Sequence, residues 1–563
     1  MKRKLFVLCL SIAFLFAVCL GISACDKPLK ELSAPQNIQQ ENRVLTWDKV
    51  DNANGYILFI NGKEYETTDN RFELCIFARG GEFTAKVMAI GDGKAYDDSS
   101  WTNAAFSLEE PIEHGYDEAG WEYTFLEDEL GYEVSKGNAN LEGDVVMPDF
   151  FDGFPVVRLA DGAFSYYHDL IKNNSGGFGA PPPAPDPYTG FLCNATTTSL
   201  KLPSRLRSIG KSALWFLLKI EELKIPETVT AFGQSSFEGC LNLKRVNIPE
   251  GITTIPSYCF RETGIEELVL PNGLEKIGGG AFYNPVEPFQ GYHVPSNLTS
   301  VVIPDSVKSI GNLAFAGRGN LRDITMSNNV EFVGEGAFED TAWYNAQPDG
   351  IIYFRNNEIL YTYKGEMAEH TELIVPSSVK LISYHAFYFQ TNLEKVFIPD
   401  GVKLQGAVFS YCRSLKEVRL PADLEELPNN TFTHTSLQSI TIPEKVTKIG
   451  ASAFSHCKSL ERITLNDKLE IIGEKAFLNC SSLTSITIPS SVRTIEKQVF
   501  DSSALREVIF ESVSDWSCEM KNLALETEMP YGDVSKEELS SPSNAALLLT
   551  STWREYEWTR KDN

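Results

Sequence analysis

Leu483-Thr-Ser-Ile486-Thr-Ile488-Pro489, followed by Val492-Arg-Thr-Ile495 and Phe500, is one copy of a pattern that returns every 22 or 23 residues through two thirds of the chain. The strand-end prolines keep its register: Pro203, Pro226, Pro249, Pro271, Pro304, Pro376, Pro399, Pro421, Pro443 and Pro489, with Ser327 and Asn466 in the same slot. Ahead of each lies an apolar triplet, as in Leu243, Val246, Ile248 or Leu393, Val396, Ile398 or Leu437, Ile440, Ile442. A second triplet follows it, as in Val307, Ile310, Phe315 or Val446, Ile449, Phe454. One unit supplies only a thin apolar layer and cannot bury it alone, so neighbours must stack and share a continuous core. The repeat therefore dictates a solenoid.

The second half of each unit reads V-x-x-I-G-x-x-A-F-x-x-C-x-x-L. It is seen as Val446-Thr-Lys-Ile449-Gly450-Ala-Ser-Ala453-Phe454-Ser-His-Cys457-Lys-Ser-Leu460 and again from Leu469 to Leu483. That unit resembles the BspA-type leucine-rich-repeat surface proteins of bacteria, over about residues 141–512. The resemblance implies a mainly β chain built on a leucine-rich-repeat solenoid of about a dozen coils of 22–23 residues. It also implies a surface location and attachment to host matrix proteins. A scaffold of this kind hosts many unrelated binding surfaces, so the ligand does not follow from the fold.

Three inserts interrupt the array, at 171–196, 285–295 and 342–372. The first holds a Gly-Gly-Phe-Gly-Ala-Pro-Pro-Pro-Ala-Pro-Asp-Pro run that forms neither helix nor central strand and reads as a stiff loop. The second carries Phe289, Tyr292 and His293. In the third, Gly350-Ile-Ile-Tyr-Phe354 and Glu358-Ile-Leu-Tyr-Thr-Tyr363 flank Arg355-Asn356-Asn357 and predict a hairpin. Insertions in solenoids map to loops on one face, often the binding face.

Residues 1–24 carry Lys2, Arg3 and Lys4, then an apolar run from Leu5 to Leu20, then small residues, which is the form of a secretory signal. Its end, Ile22-Ser-Ala-Cys25, resembles the lipobox of bacterial lipoproteins, implying a diacylglycerol anchor on Cys25, an exported chain and a place on the outer face of the cell membrane. A plain signal peptide cut near Ala24 is the other reading. No other segment approaches the roughly 20 apolar residues of a spanning helix.

After an anchor and linker at 25–33, residues 34–108 show short alternating runs, Val44–Trp47, Gly55–Ile60, Phe72–Leu74 and Phe83–Ala89, separated by Asn61-Gly62, Gly80-Gly81 and Gly91-Asp-Gly93. Such strands predict a small β-sandwich. Trp47, Tyr56, Phe83-x-x-x-Val87-x-Ala89 and Ser99-Ser-Trp101 resemble a fibronectin type III module, although Phe83 stands where that family often has Tyr. Cys75 alone excludes the disulfide of an antibody-type domain. A linker and amino-terminal cap at 109–140 precede the solenoid, and 513–563 reads as a carboxy-terminal cap and tail, with Trp516 and Leu547 to Leu549 as its apolar underside. Tyr531 to Asn544 is polar and reads as loose.

Of the eleven cysteines, Cys240, Cys412, Cys457 and Cys480 recur three residues after a repeat Phe. Recurrence at one register argues for a packing slot, since cysteine behaves as a small hydrophobe. Neither disulfides nor a metal site follow. No nucleophile elbow, zinc motif or phosphate loop is present. His434 and His456 occupy nearly equivalent positions in successive repeats and read as solvated loop residues. No cofactor is implied, and no enzyme. The net charge of −26, about −29 without Lys2, Arg3 and Lys4, argues against nucleic acid, which demands Lys and Arg. The chain reads as monomeric.

In each L-x-x-I-x-I strand the residue between the last two apolar positions points away from the core. Down the stack this gives Lys201, Lys224, Asn247, Val269, Val302, Thr325, Ile374, Phe397, Arg419, Thr441, Thr464 and Thr487. An apolar strip rimmed by polar residues marks a protein-contact surface. The candidate binding residues are therefore Val269, Val302, Thr325, Ile374, Phe397 and Arg419, with Tyr292, Tyr353 and Tyr361 from the inserts. The favoured function is a lipid-anchored adhesin or recognition protein for an extracellular protein or glycan. The alternatives are an envelope-assembly lipoprotein and a glycan-processing enzyme or accessory protein.

Overall fold

The computed structural model describes residues 29–164, 196–285, 297–519, 532–552 and 556–560. The signal segment, Cys25, Tyr292 and most of the inserts at 171–196 and 285–295 lie outside the described residues. Contacts divide the chain into two units, one holding residues up to Gly115 with Thr124–Tyr132 and Phe150–Pro155, the other holding the rest.

In the first unit, Gln39–Glu41, Val44–Thr46 and Arg71–Glu73 form one antiparallel sheet. Lys63–Thr67, Gly55–Ile60, Gly81–Ile90 and Thr102–Leu108 form another. The Asn61-Gly62 turn holds both residues at positive φ, 47° and 85°, as a two-residue hairpin requires. The alternating side of Phe83, Ala85, Val87 and Ala89 joins Trp47, Tyr56, Leu58 and Phe106 in one buried cluster. Trp47 meets Tyr56 edge-on at 5.2 Å, and the Tyr56 hydroxyl accepts from the Val50 amide.

The second unit is a β-solenoid of about 15 turns, where the strand-end register counts twelve. The additional rungs are Gly143–Val146 ahead of the array, Ile359–Lys364 within it and Glu507–Phe510 behind it. Each regular coil gives two short parallel strands. The first carries the L-x-x-I-x-I residues, as in Leu393–Phe397 beside Glu417–Arg419. The second carries the V-x-x-I residues, as in Lys448–Ile449 beside Ile471–Ile472 and Thr494–Ile495. The Phe of each coil points inward from the connecting turn. Phe237, Phe260, Phe282, Phe315 and Phe338 stack at 4.7–5.5 Å between centroids. Phe387, Phe409, Phe432, Phe454, Phe477 and Phe500 stack at 5.4–5.7 Å. All are fully buried, and each contributes about 1.5–3 kcal/mol of burial.

The recurrent slot three residues after the Phe is a donor slot as well as a packing slot. The thiols of Cys412, Cys457 and Cys480 donate to the carbonyls of Phe387, Phe432 and Phe454 at 3.0–3.1 Å, and Cys240 donates to Leu214 O at 3.1 Å. Burial pushes Cys240 and Cys412 up to about 12 and Cys457 to about 11, which keeps the hydrogens in place. Thr263, Thr341 and Thr435 fill the same slot and donate to their own coil's Phe carbonyl. In one coil the slot holds Arg318, which is fully buried. Its guanidinium donates to Phe282 O, Thr263 O, Phe260 O and Thr263 Oγ1. Burial lowers its pKa to about 9.

The array ends in a built cover. Glu557–Arg560 pairs antiparallel with Thr494–Ile495 and with Trp516–Glu519, burying Trp516 and Trp558. The expectation for the tail needs two corrections. Leu548 and Leu549 are buried but Leu547 is 59% exposed, because it ends a helix, Pro542–Leu547, with only one face inward. Within 531–544, Lys536–Ser540 is a second helix started by a Ser535/Glu538 capping box, so its polarity reflects helix capping.

Candidate functional site: the strand face

The first ladder presents the row of outward residues that the alternation requires. Val302 and Ile374, on paired strands, are 63% and 75% exposed, and Val269, 79% exposed, stands in the same repeat position on a segment that forms no strand. Val302 is the rung partner of Thr325, and Ile374, Phe397 and Arg419 occupy three successive rungs. Phe397 is half-covered, because the Arg419 guanidinium lies 4.3 Å from its ring centroid. Sequence reasoning stopped the row too early at both ends. Val146, the rung partner of Lys201, is 62% exposed, and Ile509, beside Thr487, is 46% exposed. Ile509 lacks the strand-end proline that marked the register, whereas Val146 has it in Pro148, which aligns with Pro203 but stands 55 residues ahead of it, outside the 22- or 23-residue spacing.

A charged rim borders the strip. Lys395 lies 3.1 Å from Glu372 and 3.8 Å from Glu417 on its two neighbouring rungs. Glu394 binds His370 at 2.8 Å and Lys416 at 3.2 Å, and these contacts hold its carboxyl below the usual range. Glu221 and Glu222 pair with Lys244 and Arg245 one coil on. Asn247 folds back onto the preceding coil, its amide accepting from Ile225 N at 2.7 Å and donating to Ile225 O at 2.8 Å. These contacts stitch rung to rung and leave the apolar row between them open.

The 342–372 insert is a structural rung instead of a projecting loop. The predicted hairpin forms, Gly350–Phe354 with Ile359–Lys364, and Ile359 and Leu360 pair in parallel with Leu381 and Ile382 as a rung of the second ladder. Tyr361 is consequently 2% exposed, its hydroxyl accepting from the Phe338 amide at 2.9 Å. It cannot touch a ligand, and the expectation that it binds one is corrected. Tyr353 is half-buried against the core. Phe354 and Trp343 stack at 4.5 Å and bridge the gap in the Phe column beside Phe338. A groove of about 590 Å³ near the hairpin turn is lined by Glu275, Asp305, Lys308, Val330, Glu331 and Arg355, charges of both signs around one apolar side chain.

A second, half-exposed row runs along the turn face. Two residues per coil, two before and two after the Phe, take the left-handed conformation, as in Ala407 and Tyr411, Asn430 and His434, or Ser452 and His456, with φ of 55–62°. Amides of the later residue donate to the next coil, Tyr411 to Thr433 O, His434 to Ser455 O and His456 to Leu478 O. This aligns the side chains: Phe389 on Tyr411 at 4.8 Å, Tyr411 on His434 at 4.4 Å and His434 on His456 at 4.3 Å, all near parallel. Among the described residues no group of three or more His, Cys, Asp or Glu is placed to hold a metal ion, and no helix is long and apolar enough to cross a membrane.

The family model described as BspA type leucine rich repeat region matches in six copies, over residues 190–287, 290–414, 359–433 and 403–519. No curated protein matches the chain. Among solved structures, a leucine rich cell surface protein of Faecalibacterium prausnitzii is 22% identical, with 67% of this chain and 94% of that one covered and a TM-score of 0.32. A leucine-rich repeat protein of Bacteroides ovatus is 23% identical, with 67% and 95% covered and a TM-score of 0.28. The pneumococcal vaccine antigen PcpA is 16% identical, with 71% and 93% covered and a TM-score of 0.32.

Proposed function

The chain belongs to the BspA-type leucine-rich-repeat family, and from that premise we propose that it is a surface-displayed adhesin or recognition protein. In this reading the strand face binds an extracellular protein or glycan. Cys25 carries the lipid anchor, and the two sheets of the first unit act as a fibronectin type III-like spacer. The observation that supports it best is the row Val302, Ile374 and Phe397. Val302 and Ile374 are open to solvent on paired rungs, Phe397 beside Ile374 is half-covered by Arg419, and ion pairs border Ile374 and Phe397. An apolar strip within a charged border is the anatomy of a protein-contact surface.

Binding of the purified protein to an array of matrix proteins and glycans tests this. A ligand should appear, and the double variant I374D/F397D should lose it by at least about tenfold, the equivalent of removing one apolar anchor. Binding that survives the double variant unchanged rules the strip out. Turnover of a glycan on the array favours an enzyme, and failure to bind anything outside the parent cell favours an envelope-assembly role.

A further inference from the structure

The turn-face row has features that its role in the fold does not require. The inner Phe column already fills the core, so nothing demands rings at the outward left-handed positions; the chain itself places Gly239, Gly317, Asn479 and Ser502 there in other coils. Phe389, Tyr411, His434 and His456 nevertheless hold aromatic rings in four successive coils. Face-to-face stacking turns their edges to the outside. The Arg413 guanidinium lies 5.9 Å from the centroids of both Phe389 and Tyr411. The charged groups acting on His434 are His456, Arg413 and Lys458, and on His456 it is Lys458; no carboxylate is among them. His456 is oriented by Ser455 Oγ at 2.8 Å and Asn479 Nδ2 at 3.0 Å. In a chain of net charge −26 this is a local strip of cations and ring edges.

We propose that the row Tyr411, His434 and His456, flanked by Arg413 and Lys458, binds a polysaccharide of uronic acids. The His434 imidazolium and the Arg413 guanidinium are planar donors that match carboxylates, His456 contributes a ring whose nitrogens Ser455 and Asn479 hold, and rings recurring at 4.3–4.4 Å from Tyr411 to His456 suit a polymer that offers one anionic ring per coil. An extended peptide returns a side chain to the same side only every ~6.6 Å, and each strand of a nucleic-acid duplex advances ~3.4 Å of axis per phosphate. Both fall out of step. Burial and the neighbouring cations hold both imidazoles below their ordinary pKa, so acidification charges the strip and strengthens binding. The proposal stands apart from the strand-face reading, which concerns the opposite set of side chains.

The test is binding of the purified protein to immobilised polygalacturonate at pH 7.5 and 5.5, with dextran, polyglutamate and oligothymidylate in parallel. The variant R413S/H434N/H456N/K458S uses residues the chain already carries in equivalent slots (Ser436, Asn479, Ser481), so it keeps the left-handed backbone; unchanged circular dichroism confirms its fold. The expected result is binding to polygalacturonate that rises at least about threefold at pH 5.5 and falls at least about tenfold in the variant, the equivalent of one charge-assisted hydrogen bond. F397D should leave it unchanged. Equal binding of polyglutamate or oligothymidylate, a variant that binds as the parent does, or no binding to polygalacturonate at pH 5.5 each overturns it.

Discussion

The strand face and the turn face are built by the same coils, yet they obey different rules. On the strand face side chains alternate, so the sequence pattern alone says which residues look outward. On the turn face the backbone enters the left-handed region twice per coil, at an intrinsic cost of about 1–2 kcal/mol per non-glycine residue. Hydrogen bonds to the next coil offset that cost, as from His434 N to Ser455 O. The strand face can therefore change its outward residues freely. The turn face is tied to the core beneath it.

The sharpest way to break this comparison is one substitution on each side. Phe454→Ala should cost about 3–5 kcal/mol, because Phe454 stacks on Phe432 at 5.5 Å and on Phe477 at 5.4 Å with no exposure. Val302→Asp should change stability by less than about 0.5 kcal/mol, its side chain being 63% exposed. Urea unfolding measures both. A comparable loss from Val302→Asp would mean that the strand face is part of the core's support.

Arg318→Met comes next. It strands the carbonyls of Thr263 and Phe282 in the buried interior, while Phe260 O keeps the Thr263 hydroxyl, and losing these partners should cost about 3 kcal/mol. Arg318→Lys should recover part of that, since an ammonium reaches fewer of the carbonyls. Equal stability of the methionine variant and the parent would show that the guanidinium's own desolvation cancels its hydrogen bonds.

These residues also show where the sequence was legible. The ladder from Val269 to Arg419 could be read because a period of two leaves one answer for each position. Tyr361 misled, because the hairpin around Asn356 is a local signal while its pairing with Leu381 and Ile382 is not. An insert that looks like a loop can thus be a rung. Arg318 was invisible because an arginine ordinarily marks surface, and only the cysteine register shared by Cys240 and Cys412 hints at the slot. Of the row Phe389, Tyr411, His434 and His456, only the equivalence of the two histidines was legible, because no turn-forming residue announces the left-handed corner there. The signal lay several coils away, in Gly239 and Gly317, and a Cβ at Gly317 would overlap the Asn284 carbonyl oxygen.

The smallest effect separates the faces by pH. Burial first, then neighbouring cations, lowers the pKa of His434 and His456 in the fold. A base with a depressed folded pKa binds fewer protons folded than unfolded, so stability is full above the unfolded value of about 6.5 and falls as pH drops through it. Thermal unfolding of the parent should therefore move to lower temperature between pH 7.5 and 5.5 by more than that of H434N/H456N, whose asparagines accept the same backbone. His370 and His385, paired with Glu394 and Glu335, are common to both proteins and cancel in the difference. Identical pH slopes would mean that the stacked imidazoles charge as freely in the fold as in the open chain. The turn-face row would then be as independent of the core as the strand face is.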